Sequence, residues 1–459
     1  MRAIRLGFAM VFVVWAWEGS RLSADETGGP TVDEKKVEAL LSGLKDSVAS
    51  VRTAAAKKLG EMGAKAKSAI PALAALAIDD ESSAARLAAI ASLGKIGGNE
   101  GLAALIELTK RIPKMEFAPH LPDLAMALAD IGKEAMPSLR LLLNEKDLRL
   151  RRVAIHAMGR LGKDGLDGLG DALGDPDSSI RFEAVNELGR SKKDAASLLI
   201  RACGDENRGV RQNASGQLGK IAKDIKEPLV AALKSENALV RAHAAANLGL
   251  LGRQAADATL PLIGNLSDDN LDVRYSAAVA LEAIGPKASD ALKPLCAVLK
   301  DESPHMRRQA LRTLGKISPH SQDSVRSIIN MFSDSDQNVR VTAVIAVAGT
   351  GDAGGEAVGP LLGLLKADEP KVPSLLVREA LKSIRPENSK ADVKTLVDAL
   401  DIKDAEIRIF VATALGVKAA DAKAAAPALR SLAKDSNQKV RDAANSALEN
   451  INAEAAKKN

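Results

Sequence analysis

Between Asp175 and Gly189 the string DPDSSIRFEAVNELG sets apolar residues at Ile180, Ala184 and Leu188, the i, i+4, i+8 spacing of a single helical face. The polar residues ahead of it predict a turn feeding that helix. Asp177 stands at the N-cap, where its carboxylate can accept from the unpaired N–H groups of the first turn. Gly189, costly inside a helix and favoured past its end, reads as a terminator.

With Arg181 as position zero, the same pattern returns at Arg52, Arg86, Leu121, Arg151, Arg211, Arg241, Arg274, Arg307, Arg340, Ser374, Arg408 and Arg441, in steps of 30 to 35 residues. That makes thirteen copies, eleven with arginine. Four residues before zero comes a capping residue in most copies: Ser82, Asp147, Asp177, Asn207, Asn237, Asn270, Ser303, Asp336, Asp404 or Asn437. Six before it, Asp46, Asp80, Asp175, Asp205, Asp268, Asp301, Asp334, Asp368 and Asp435 recur. A second apolar segment lies upstream in each copy, often with proline, as at Pro71, Pro137, Pro228, Pro261, Pro294, Pro360 and Pro427. Each copy is therefore a helix pair. A pair this small cannot bury its own apolar face, so neighbours must stack into a continuous core.

Proline in the first helix, aspartate in the turn and arginine six residues later resemble HEAT repeats. The period and the form D-x-D/N-x-x-V-R-x-x-A-x-x-x-L-G resemble more closely the short HEAT-like repeats of the phycobilisome-lyase type. The resemblance covers roughly Asp33 to Ile451. It implies an all-α, right-handed α-solenoid, a superhelix of about thirteen two-helix HEAT-like repeats. It also implies a structural ladder between adjacent repeats, carried by Asp175, Arg181, Asp205, Arg211, Asp268, Arg274, Asp301, Arg307, Asp334 and Arg340, with the second helices lining the concave side. Leu121 and Ser374 leave repeats three and eleven outside the ladder.

The ends do not follow the pattern. Met1–Ala24 places Arg2 and Arg5 ahead of the apolar run Leu6–Trp17 and ends on small residues, as a signal peptide does; the run is short for a membrane span, and an uncleaved anchor is the alternative. Residues 25–32 read as a linker, with Asp33 capping the first helix. Residues 33–452 hold the repeats and 453–459 a polar tail. Prolines at 113, 119 and 122 predict a break in repeat three, and Pro370 and Pro373 another in repeat eleven. Gly349-Thr350-Gly351-Asp352-Ala353-Gly354 matches G-x-G-x-x-G, but a phosphate cradle needs a strand before the motif; here a helix is expected, so the motif reads as an inter-repeat loop.

Composition narrows the function. Without residues 1–24 the chain has 61 basic and 58 acidic residues, a balance of +3, and its aromatics reduce to Tyr275, Phe117, Phe182, Phe332 and Phe410. The core must then be aliphatic. Cys203 and Cys296 lie three repeats apart, about 30 Å at ordinary helix spacing, beyond disulfide reach, and read as buried apolar residues. The histidines do not cluster, and no catalytic, metal-binding or cofactor-binding motif occurs. No enzyme and no cofactor are expected.

Columns +1 and +5 point away from the apolar face. They carry Arg152, His156, Phe182, Asn186, Gln212, Tyr275 and Arg308, then the apolar Val341, Ile345, Leu375 and Ile409. An apolar strip with a polar rim suggests a protein-binding site; burial between neighbouring helices is the other reading. A column at +9, with Lys95, Arg160, Arg190, Lys220 and Lys316, is either an anion-facing stripe or a solvated edge. These readings favour a monomeric scaffold or adaptor for a protein or peptide partner, exported to the periplasm or the exterior. The alternatives are a bilin-lyase-like or other enzyme accessory protein, against which export argues, and a weak nucleic-acid binder through the basic stripe, against which the small charge and scarce aromatics argue.

Overall fold

A computed structural model describes residues 31–111, 121–366 and 372–457, and among them every regular element is helical. Residues 1–161 and 162–459 form two compact units. The first contains α1 (Val32–Gly43), α2 (Ala49–Glu61), α3 (Ile70–Asp79), α4 (Ser83–Ile96), α5 (Gly98–Arg111), α6 (Leu121–Asp130), α7 (Met136–Leu143) and α8 (Leu148–Arg160). The second contains α9 (Leu166–Ala172), α10 (Ser178–Arg190), α11 (Ala196–Ala202), α12 (Arg208–Ile221), α13 (Lys226–Ala232), α14 (Ala238–Leu250), α15 (Thr259–Asn265), α16 (Leu271–Ile284), α17 (Leu292–Val298), α18 (Pro304–Ile317), α19 (Gln322–Asn330), α20 (Gln337–Ala348), α21 (Val358–Lys366), α22 (Ser374–Ile384), α23 (Val393–Asp398), α24 (Ala405–Lys418), α25 (Ala426–Leu432) and α26 (Gln438–Lys457). Odd and even helices are the first and second members of successive pairs. Within each unit every second helix packs on the second helix of the next pair. The expected signal segment, the break at 112–120 and Asp368 lie outside the described residues.

The packing follows the columns. Position +3 is buried in every repeat, and it is alanine in most: Ala55, Ala89, Ala154, Ala184, Ala214, Ala244, Ala277, Ala310, Ala343 and Ala444. Leucine at +7, as in Leu59, Leu93, Leu188, Leu248, Leu281 and Leu415, is fully covered; burying such a side chain contributes about 2 kcal/mol. Small residues at +3 let the helices approach, and leucine fills the layer between them.

Gly189 does not end its helix. It lies inside α10, where a Cβ would come within 2.6 Å of the Gln217 side chain on α12. A Cβ on Gly94 would meet the Ala127 carbonyl at 2.5 Å, and one on Gly416 would meet Ala447 Cα at 2.9 Å. The +8 glycine is thus a helix-crossing contact. Termination falls at +11, where Gly63, Gly97, Gly132, Gly252, Gly285 and Gly351 have positive φ. Lys192, Arg385 and Ala419 occupy the same position at φ 51°, 65° and 45°, a region where a Cβ is strained.

The ends and caps differ in detail from expectation. Thr31, not Asp33, caps α1, in a capping box with Glu34, and α26 continues past Ala453 to Lys457. Asp147, Asp177, Asn207, Asn237, Asn270, Asp336 and Asp404 accept from first-turn N–H groups. Ser82 and Ser303 hold the cap position without such a bond. The glycine-rich string follows α20 and packs against the next repeat: the Lys390 N–H donates to the Gly355 carbonyl at 3.0 Å, and a Cβ on Gly355 would lie 2.0 Å from the Asn388 carbonyl. Backbone approach accounts for that glycine. Cys203 is buried, and burial pushes its thiol up to about 12; Cys296 is half-buried rather than fully covered.

Arginine at position zero ties the stack together. In all eleven copies Nη1 donates to both carbonyls at −6 and −5 of its own turn, as Arg181 does to Asp175 and Pro176 and Arg441 to Asp435 and Ser436. Nε and Nη2 form a fork that reaches the aspartate of the next turn. Arg52–Asp80, Arg181–Asp205, Arg241–Asp268, Arg274–Asp301, Arg307–Asp334 and Arg408–Asp435 pair this way, with Nε to carboxylate distances of 2.6–2.9 Å. The same aspartate's Oδ1 accepts from the N–H two residues on, in Asp80, Asp175, Asp205, Asp268, Asp301, Asp334 and Asp435.

Two departures stand out. Arg211 clamps its own turn but finds no carboxylate among the described residues, because Ser235 occupies the next −6 position. The expectation that it belongs to the ladder fails there. Repeat eleven does have a link: Arg378, one turn beyond Ser374, reaches the N-cap carboxylate Asp404 at 3.2 Å.

The Arg181–Asp205 pair is nearly covered, with side chains 6% and 8% exposed. Burial pushes the Asp205 carboxyl up, but hydrogen bonds from Arg181 and the Asn207 N–H, with the charges of Arg181 and Arg211, outweigh it and hold it below its ordinary value of 3.8. A folded value below the unfolded one adds stability that is fully present above the unfolded value, near pH 4, and is lost as pH falls through the folded value. Asp205→Asn is expected to lower stability by about 3 kcal/mol at pH 7, read by urea unfolding, and the deficit should narrow below pH 4; a deficit constant down to pH 2 would rule out this electrostatic origin. Ala419→Gly is expected to raise stability by about 1 kcal/mol, and a lower midpoint would show that φ strain is not what the alanine costs.

Candidate protein-binding surface

The +1 and +5 columns lie on the faces of the second helices turned away from the apolar layer. In the first unit Arg152 and His156 are half-buried on α8. In the second unit Phe182, Asn186, Gln212, Tyr275, Ile345 and Leu375 are exposed, and Arg308, Val341 and Ile409 are half-buried. The apolar strip therefore divides. Ile345 and Leu375 are 55% and 54% exposed, whereas neighbouring helices cover much of Val341 and Ile409. Asn186 is engaged, accepting from Asn213 Nδ2 at 2.9 Å across α10 and α12.

Two clefts interrupt this surface. One, about 440 Å³, has Leu311, Arg312, Lys316, Thr342, Ile345 and Ala346 around it, with Glu282 at one end. Glu282 occupies a +8 position that is glycine in most repeats, and accepts from Gln309 Nε2 at 2.6 Å. The other, about 280 Å³, crosses α12, α14 and α16 and brings Gln212 and Tyr275 together with Arg208, Arg211, His243 and Asp272. It exists because the +1 and +5 residues of α14 are Ala242 and Ala246, and because α12 lies less closely against α14 than α14 against α16.

His243 lies between the two charged sides of this second cleft. Burial pushes its imidazole below the ordinary 6.5, the Arg211 charge adds to this, and Asp272 opposes it. It is neutral at pH 7. His243 has no other histidine near it in the chain, so ligand spacing does not point to it. The missed signal is its place beside two alanines in the outward columns.

Of the +9 residues, Lys95 and Arg160 belong to the first unit and Arg190, Lys220 and Lys316 to the second; all are exposed. Arg190 pairs with the buried Glu187 at 2.7 Å, and Lys220 donates to Gln217 at 2.9 Å. Among the described residues no group of His, Cys, Asp and Glu is arranged to hold a metal, and no helix is long and apolar enough to cross a membrane.

Among solved structures, the chain is similar to an engineered protein at 19% identity, with 91% of this chain and 99% of that one covered and a TM-score of 0.35. It is also similar to importin beta, at 15% identity with 90% and 67% covered and a TM-score of 0.37. The karyopherin Kap121p, solved bound to the extreme C-terminus of the protein phosphatase Cdc14p, matches at 12% identity, with 92% and 54% covered and a TM-score of 0.42. No curated protein matches the sequence significantly. The family model for HEAT repeats matches residues 37–113, 166–228, 225–297, 259–331 and 292–382, together more than half of the chain; it does not single out the phycobilisome-lyase type. With the helix pairs, the turn aspartates and the arginines all in register, the chain belongs to the HEAT-repeat family.

Proposed function

We propose that this protein is a non-catalytic scaffold or adaptor that binds a protein or peptide partner along the outward face of its second helices, outside the cytoplasm. The observation that carries the reading is the exposure of Ile345 and Leu375, with Phe182 and Tyr275 at 40% each, in columns where packing leaves a solvated face. Apolar side chains held on rigid helices and rimmed by charge form an anchor surface at low ordering cost. The small clefts between them suit side chains of a partner better than a whole small molecule. Export rests on the charged, apolar and small-residue order of Met1–Ala24.

The double variant Ile345→Asp, Leu375→Asp is expected to fold with unchanged helicity, since neither side chain is in the core, and to lose a crosslinked partner by about tenfold or more. Undiminished crosslinking from a photoreactive residue at Tyr275 would sink the apolar-strip reading. Export predicts that the mature chain recovered from the native host begins just after Ala24. Recovery of intact Met1 in the cytoplasmic fraction would remove that part.

A further inference from the structure

Arg211 differs from the six arginines that pair with the next turn's aspartate in a way that bears on ligand binding. Its Nη1 bonds to the Asp205 and Glu206 carbonyls, both at 2.8 Å, fix the guanidinium plane. In six other repeats the remaining fork, Nε and Nη2, receives the next turn's aspartate. Here Ser235 keeps only one of the two tasks of that aspartate: its Oγ accepts from the Asn237 N–H at 3.3 Å but makes no bond to Arg211. Among the described residues no carboxylate pairs with Arg211 or with the neighbouring exposed Arg208, and both line the cleft shared with Tyr275.

We propose that this cleft receives an aspartate or glutamate side chain of a bound peptide, its carboxylate taking the place on Arg211 that the neighbouring repeat fills elsewhere. The inference rests on the protein-binding reading and gives the partner a chemistry. A guanidinium already held by two hydrogen bonds loses little freedom on forming a bidentate pair, unlike a surface arginine. The cleft is also polarised. Arg208 and Arg211 lie on α12 and Asp272 on α16, with the neutral His243 between them. An acidic side chain is therefore directed to the α12 side, and the Tyr275 ring offers an apolar wall to its neighbour in the peptide.

The test selects short random peptides displayed on phage against the full chain. Recovered peptides are labelled with fluorescein and titrated by anisotropy, beside versions in which each acidic residue is replaced by its amide. The expected result is a recurrent acidic residue whose replacement weakens binding about tenfold or more. Ser235→Asp completes the ladder from within, so it should raise the thermal midpoint and weaken the acidic peptide to the level of its amide version. Arg211→Lys, which keeps the charge and loses the fork, should weaken it as well. Acidic peptides that bind Ser235→Asp as tightly as the original chain would overturn the proposal. So would selected peptides without acidic residues whose binding is lost only in Ile345→Asp, an outcome that leaves the scaffold reading standing. Recovery of no peptide at all would overturn both.

Discussion

The stack depends on how one guanidinium divides its donors. A turn that reverses the chain between two helices leaves carbonyls with no helical partner, and a buried unpaired carbonyl is costly. The zero-position arginine answers that need with Nη1 and then presents its other edge to the next repeat. Because the group is planar, the shape of one turn and the distance to the next are fixed by the same rigid plane. Lysine, a point charge on a flexible stem, cannot do both. The aspartate it meets is also shared, bonding to the arginine and to its own turn, so each pair closes two local structures and one interface.

Around this polar seam the apolar layer is built for closeness. Alanine at +3 and glycine at +8 lower the height of each second helix where it crosses the next, and leucine at +7 fills what remains. A chain with so few aromatic residues can be well packed only if its backbones lie near one another. The scarcity of large side chains and the recurrent glycines are two expressions of one geometric choice.

Much of this was legible in the sequence because it repeats. The capping residues, the turn aspartates and the apolar face are local features, and thirteen copies average out their exceptions. The roles of the two glycine columns were not separable, since +8 and +11 both lie near the helix end and only the position of the neighbouring helix distinguishes them. Arg378 was hidden one turn away from the expected register. The unequal exposure of Ile345 and Ile409, both on outward columns, depends on what the adjacent repeats place beside them, which periodicity cannot express. That Ser235 keeps the bond within its own turn and makes none to Arg211 is a matter of geometry, which a serine in a turn does not announce.

In a linear array, order propagates from repeat to repeat only as strongly as each junction allows. The junction after repeat six keeps side-chain bonds such as Asn247 to Ser215 but has no arginine–aspartate bridge. It is therefore a seam in cooperativity. Parting the repeats at that point breaks no charge-assisted pair among the described residues, so the residue at position 235 bears on where the array can come apart.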